Sequence, residues 1–205
     1  MIRLLQAESL NVYIIYFCNI TTNSFYSRKA KNKIKLHKIQ NYIHKMQIRS
    51  MQSADFPCVW TMFKQIIDEQ VYYSYDHTTT RMEIEKSWIN EQNLGYVAEI
   101  DGVVAGAYIV KPNQPGHGAH IANAAYMVAQ EFRGRGIGRL LGEHSLVAAK
   151  KAGYRAMQYN MVISTNTSAV QLWQSLGFRI IGTVPEAFLH CQLGYVDAHI
   201  MHRKL

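Results

Sequence analysis

The stretch that most narrows what this chain can fold into is an apolar run, Ile121–Val128, followed by Arg133-Gly-Arg-Gly-Ile-Gly138 and then at once by a helical apolar pattern. A strand, a glycine loop and a helix in immediate succession imply an α/β arrangement in which the loop sits at the strand's C-terminal end. Glycines there let backbone N–H groups turn toward one point, and the following helix N-terminus adds partial positive charge, so the loop suits an anion. Arg133, Arg135 and Arg139 add permanent charge nearby. A phosphate loop of the Gly-Lys-Ser/Thr kind is excluded, because Arg139-Leu140 stands where that ending is needed. A dinucleotide fingerprint counted from Gly134 meets Arg139 at its sixth position, and the loop follows the fourth predicted strand rather than the first.

Around this centre the chain reads as alternating elements. Residues 47–51 predict a short strand; Ser53 or Asp55 can cap a helix with Pro57 in its first turn and Val59, Phe63, Ile66 and Ile67 at helical spacing. Thr80 can cap a second helix reaching Gln92. Residues 95–100 and 103–110 read as strands around the Asp101-Gly102 turn, and 111–118 as a Pro/Gly/His loop. After the glycine loop, Leu140/Leu141 recur as Val147/Ala148 along a helix that Gly153 ends. Residues 156–163 follow as a strand, 164–176 as a helix closed by Gly177, and 178–184 and 195–202 as strands flanking a loop that begins at Pro185. The order is β-α-α-β-β-β-α-β-α-β-β.

The chain of 205 residues carries a formal charge of +8, but the charge is local. Eight of the 22 Lys/Arg and one of the 14 Asp/Glu fall in 1–45, leaving 46–205 near balance at +1. That segment shows no clean period and ends in a Lys/Asn/Ile/His-rich run, so the domain is expected to start near Met46, with 1–45 a basic extension lacking a job of its own or else a basic arm. Balanced charge in the domain argues against nucleic acid. Cys18, Cys58 and Cys191 form no paired spacing, which suits a reducing, cytoplasmic setting, and the apolar 10–20 stretch is too short to span a bilayer. His117 and His120 have no third ligand in spacing, so no metal site is expected.

The pattern Arg133-x-x-Gly136-x-Gly138 resembles that of the GNAT superfamily of N-acetyltransferases, and Asn166-Thr-Ser-Ala169 with Leu172-Trp173 and Gly177-Phe178 resembles its second signature. The likeness covers nearly all of 46–205, including the order of elements. It implies a single domain with a mixed, mostly antiparallel sheet splayed between its fourth and fifth strands and helices on both faces. It also implies acetyl-CoA as co-substrate, its arm lying along the fourth strand near Met127 and Val128, and its pyrophosphate on Arg133, Gly134, Arg135, Gly136, Ile137 and Gly138, with Arg139 close by. Asn166 would meet the arm and serve as a helix cap, and Trp173 would pack beside the arm.

Two parts of the family pattern are missing. Many relatives place a Glu on the fourth strand as base and a Tyr on the last helix as acid, whereas 120–128 holds no carboxylate and Trp173 occupies the Tyr position. The polar residues of these strands that look buried are Asn123 and Asn160, whose amides could serve an oxyanion and an amine, or could stitch the splayed strands together. Their surroundings, with Val196-Asp197-Ala198, look like a subgroup that includes the yeast acetyltransferase for azetidine-2-carboxylate; by that likeness Asn123 orients the acetyl carbonyl and Asn160 the substrate. Tyr72, Tyr73, Tyr75 and His77 fall where relatives build the acceptor pocket. The expected function is acetyl transfer to the nitrogen of a small amine or imino acid in a ternary complex, without a membrane, and with a homodimer left open. A protein or peptide acetyltransferase and a binding module without turnover are the alternatives.

Overall fold

Asp101 and Gly102 both take positive φ, 50° and 81°, and so form the tight turn between β2 (Leu94–Ile100) and β3 (Val103–Pro112). The structure, a computed structural model, describes residues 46–90 and 92–205; the basic segment 1–45 lies outside the described residues. Around that hairpin stand β1 (Met46–Ser50), β4 (Ile121–Val128), β5 (Ala156–Ile163), β6 (Arg179–His190) and β7 (Gly194–Lys204), in one sheet ordered β1-β2-β3-β4-β5-β7-β6. The β4/β5 pair is parallel and the other neighbouring pairs are antiparallel, as expected for the splayed α/β domain. β3 is buried continuously from Ala105 to Val110 because helices cover both faces of the sheet.

On one face, α1 (Phe56–Glu69) and α2 (Arg81–Trp88) bury Phe56, Val59, Phe63 and Ile84 against Val97, Ile109 and Met127. On the other, α3 (Ile137–Lys151) and α4 (Thr167–Ser175) bury Leu141 and Trp173 against Tyr108, Met157 and Met201. Each fully buried Leu or Phe among these contributes about 1.5–3 kcal/mol. Close approach needs glycine at two points. A Cβ on Gly106 would stand 2.9 Å from the Met127 carbonyl and 3.0 Å from Leu141 Cδ1, and one on Gly142 would stand 2.7 Å from Leu176 Cδ1. Gly106 thus seats the first turns of α3 on β3, and Gly142 seats α4 on α3.

The helix starts follow local chemistry. Thr80 and Glu83 form a reciprocal capping box. At α1 the carboxylate of Asp55 accepts from the Gln52 N–H at 2.8 Å and from both terminal nitrogens of Arg49, and Arg49 also binds Glu99, so β1, β2 and the start of α1 are tied together.

Four expectations need correction. α2 ends at Trp88, not Gln92, because the Asn90 side chain takes the Gln92 N–H and turns the chain. α4 starts at Thr167, not Ser164, because the Ser164 N–H is bonded to the Asp197 carbonyl and Asn166 caps the helix. Val147 is 49% exposed, its expected burial falling to Leu146 one position earlier. Pro185 opens no loop: β6 continues to His190 through a register shift between Val184 and Phe188, where the Glu186 N–H is taken by the Asp197 carboxylate. Proline is tolerated there because β6 is an edge strand and the site is a bulge.

Candidate active site

β4 and β5 pair at only two positions, Ile121 with Ala156 and Ala122 with Met157, before they part. β5 then leans toward β7, its own register broken between Tyr159 and Val162. Antiparallel pairing alternates which residues face the neighbour, and the bonds Ala129 N–H to Ala105 and Asn113 N–H to Ile121 fix the phase. Asn123, Ala125 and Met127 therefore bond to β3, while the backbone groups of Ala124, Tyr126 and Val128 face the opening. The edge expected near Met127 and Val128 is thus offered by Tyr126 and Val128; Met127 contributes a buried side chain.

At the C-terminal end of this edge, Gly134 and Gly136 adopt left-handed φ of 74° and 85° with open space where a Cβ would be. Gly136 starts α3 with no side-chain cap. The N–H groups of Gly134, Gly136, Ile137 and Gly138 find no acceptor among the described residues, which leaves a ring of donors at a helix N-terminus suited to a phosphate. The arginines are differently placed. Arg133 lines the opening but is held by Glu69 of α1 in a two-pronged ion pair at 2.7 and 3.1 Å and lies over the Tyr72 ring. Arg135 turns to the Glu131 carbonyl and the Phe132 ring, and Arg139 to Ser175 and Glu143, both outside the cavity lining.

From the loop a cavity of about 710 Å³ runs along the β4 edge between the parted strands and under the segment joining α1 to α2. It brings together Asn123, Met127, Val128, Arg133, Gly134, Gly136, Ile137, Gly138, Asn160, Asn166 and Trp173. Asn166 does double duty, its side chain accepting from the Ala169 N–H at 3.1 Å while it lines the cavity. At the end remote from the loop sits an amide cluster. Asn123 Nδ2 donates to the Gln158 carbonyl at 2.9 Å, Gln158 Nε2 to Asn160 Oδ1 at 2.9 Å, and Asn160 Nδ2 to Asn113 Oδ1 at 2.7 Å. Over this end the Tyr73 hydroxyl donates to the cleft-facing carbonyl of Tyr126 at 2.7 Å, its ring packed with Phe63 and Tyr75. Burial, the largest cause, pushes the Tyr73 phenol well above its usual range, so it stays a donor. His120 Nδ1 meets the His117 carbonyl, and among the described residues no group of three or more His, Cys, Asp or Glu could hold a metal.

Beneath the cavity, on the α3 face, Tyr96, Tyr108, Tyr126 and Tyr159 form a row across β2, β3, β4 and β5. Trp173 sits 4.8 Å from both Tyr126 and Tyr159, one side of it in the core while it also lines the cavity. Ser145 donates to the Gly142 carbonyl, so Tyr126 donates to Ser145 at 2.7 Å and Tyr159 to Tyr126 at 2.9 Å. Burial pushes the Tyr126 phenol up to about 12 and holds the Tyr159 phenol well above its usual range.

Lys111, Asn113, Gln158 and Ser74 belong to the site or its rim but were not legible as such. The sequence pattern predicts a loop from residue 111, whereas β3 runs on to Pro112 and sets Lys111 opposite Asn123. The only hint was the length of the apolar run before it.

The acetyltransferase (GNAT) family model matches residues 60–178. A GCN5-related N-acetyltransferase from Kribbella flavida is 45% identical, covering 79% of this chain and 99% of that one with a TM-score of 0.77. A phosphinothricin acetyltransferase from Sinorhizobium meliloti, solved with acetyl-CoA, shares the fold at 18% identity, a TM-score of 0.71, and 78% and 89% coverage. N-acetyltransferase aca1 of Schizosaccharomyces pombe is 38% identical over 96 residues, 46% of this chain, and Protein SPT10 of Saccharomyces cerevisiae 30% over 110 residues, 54% of this chain. The matches span 46% and 17% of those two relatives.

Proposed function

The chain belongs to the acetyltransferase (GNAT) family, and from that premise we propose that it transfers the acetyl group of acetyl-CoA to the nitrogen of a small amine or imino acid, both substrates being bound together. One observation carries the reading: a single cavity joins a loop of unpartnered N–H donors, through an open strand edge, to an amide-lined end under an aromatic wall. Acetyl-CoA supplies an acetyl group already activated as a thioester. The chain's part is to bind and orient. The N–H groups of Gly134, Gly136, Ile137 and Gly138 take the pyrophosphate, the Tyr126 and Val128 edge, whose carbonyls already accept from Tyr73 and Arg133, meets the extended arm through its N–H groups, and Asn166 and Trp173 flank it.

At the far end, Asn123 and Asn160 are the residues we assign to the acetyl carbonyl and the acceptor. Both already hold one hydrogen bond each through Nδ2, which fixes their orientation before substrate arrives. Among the described residues the lining holds no Asp or Glu, so the acceptor nitrogen reaches its neutral form without a carboxylate base in contact, which suits a nitrogen of modest basicity more than a lysine amine. The local likeness to the azetidine-2-carboxylate subgroup favours a small imino acid on separate grounds. The α1–α2 segment, fastened over the cleft by Tyr73, favours a small acceptor over an extended peptide. The unpaired cysteine spacing supports a reducing, cytoplasmic setting for the reaction.

Gly136 is the test of the donor site. Asn and Asp have the same shape and both tolerate left-handed φ better than other side chains, so only charge separates Gly136→Asn from Gly136→Asp. Calorimetric affinity for acetyl-CoA is expected to fall at least about tenfold further in the Asp variant than in the Asn variant, since a carboxylate would face the anion site. Equal affinities in the two variants would overturn the assignment of the loop. Thiol release over a panel of small amines, imino acids and peptides then decides the acceptor class.

A further inference from the structure

Among the described residues two cationic side chains line the cavity, Lys111 and Arg133, and Arg133 is neutralised by Glu69. The Lys111 backbone is paired with Asn123, but among the described residues its ammonium has no ion-pair or hydrogen-bond partner, and no described carboxylate lines the space it borders. It is half-buried at the C-terminal end of β3, directly opposite Asn123 and on the face that carries Ile109. Asn113, two residues on, accepts from Asn160. Lys111 therefore borders the cavity at its amide-lined end, away from the glycine loop: β4 runs five residues from Asn123 to Val128, roughly 17 Å at ~3.4 Å per residue. It is too far to serve a pyrophosphate held by Gly134 to Gly138. An ammonium bordering a cavity lined by amides and aromatic rings is well placed to meet an anion in hydrogen-bond contact, and among the described residues no lining side chain supplies one.

We infer that Lys111 holds an anionic group of the acceptor, a carboxylate, and so selects amino or imino acids over uncharged amines. This rests on the acetyltransferase reading above. The competing account is that Lys111 lays its stem along the cavity rim and keeps its charge in water; then the acceptor's charge is irrelevant to it.

The experiment uses the full chain as wild type, Lys111→Met and Lys111→Arg, with azetidine-2-carboxylate and its uncharged carboxamide as acceptors, thiol release as the readout, and acetyl-CoA affinity and thermal melting measured in parallel. Replacing the carboxylate also changes the nitrogen's basicity, so the quantity read is the ratio of kcat/KM for the two acceptors, compared between enzymes as in a double-mutant cycle. Lys111→Met is expected to lower that ratio by about tenfold to a hundredfold, the carboxamide rate staying within about threefold, and Lys111→Arg to restore most of it. An unchanged ratio in Lys111→Met overturns the inference. So does intact acetyl-CoA binding by the wild type with neither acceptor turned over. Failure of the wild type to bind acetyl-CoA overturns instead the acetyltransferase reading, and the inference with it.

Discussion

Asn123 has two duties that pull in the same direction. Its Nδ2 donates to the Gln158 carbonyl just past the last β4/β5 pair, Ala122 with Met157, so it bridges the strands where they begin to part. By the reading above it also serves the acetyl carbonyl. Asn123→Ala is expected to cost about 0.5–1.5 kcal/mol of stability for the lost bridge and to lower turnover by ~10²–10³, with acetyl-CoA affinity changed by only a few-fold. If the variant melts early yet keeps its turnover per folded molecule, Asn123 is a bridge alone. An asparagine among apolar neighbours announces in sequence that it needs partners. It does not announce which, since the partner here is a backbone carbonyl 35 positions away, set by where the ladder ends. The arginines show the same gap. Their spacing predicts charge at the loop, but Glu69, 64 positions from Arg133, and Ser175, 36 from Arg139, decide where that charge goes.

At the scale of elements, the start of α1 is fixed by electrostatics more than by a helix cap. Hydrogen bonds from the Arg49 guanidinium hold the buried Asp55 carboxyl below the usual carboxylate range, against the opposing pull of burial. The unfolded chain therefore takes up this proton at a higher pH than the folded one. The stability Asp55 contributes is complete above its unfolded pKa of ~3.9 and is lost as pH falls through the lower folded value. Asp55→Asn is expected to cost about 1.5–3 kcal/mol in urea unfolding at neutral pH, and the gap to wild type should shrink as the pH drops below ~4. A gap that stays constant across that range would mean packing, not charge, fixes the helix start. Elements defined by local chemistry were legible: the Asp101-Gly102 hairpin, the Thr80 cap, and β4 and β5 to the residue. The path of β6 through Pro185 was not, because the bulge depends on Asp197 of the neighbouring strand. Lys111 was misplaced for a related reason, as the end of β3 depends on its pairing with β4 rather than on a turn of its own.

For the whole molecule, the order of elements was legible because each strand or helix had its own period and its own punctuation, and the family likeness fixed how they assemble. Within 46–205 the sheet has all seven strands, its two faces are covered by α1 with α2 and α3 with α4, and the cavity is lined by residues between Phe63 and Trp173. β1 begins at Met46 and pairs along its full length with β2, from Met46 opposite Ile100 to Ser50 opposite Tyr96. Every group the proposed chemistry uses therefore lies on the C-terminal side of Met46, and the charge of that part is near balance. A chain beginning at Met46 is expected to melt within about 2 °C of the full-length protein, with acetyl-CoA affinity and turnover within about twofold. It should also lose any binding to duplex DNA that the full-length chain shows, because eight of the 22 basic residues leave with 1–45. Early melting or lost turnover would show that 1–45 completes the domain. Salt-sensitive DNA binding confined to the full-length chain would make that segment a basic arm with a function of its own, while unchanged behaviour in all three measurements would leave 46–205 as the whole of the working enzyme.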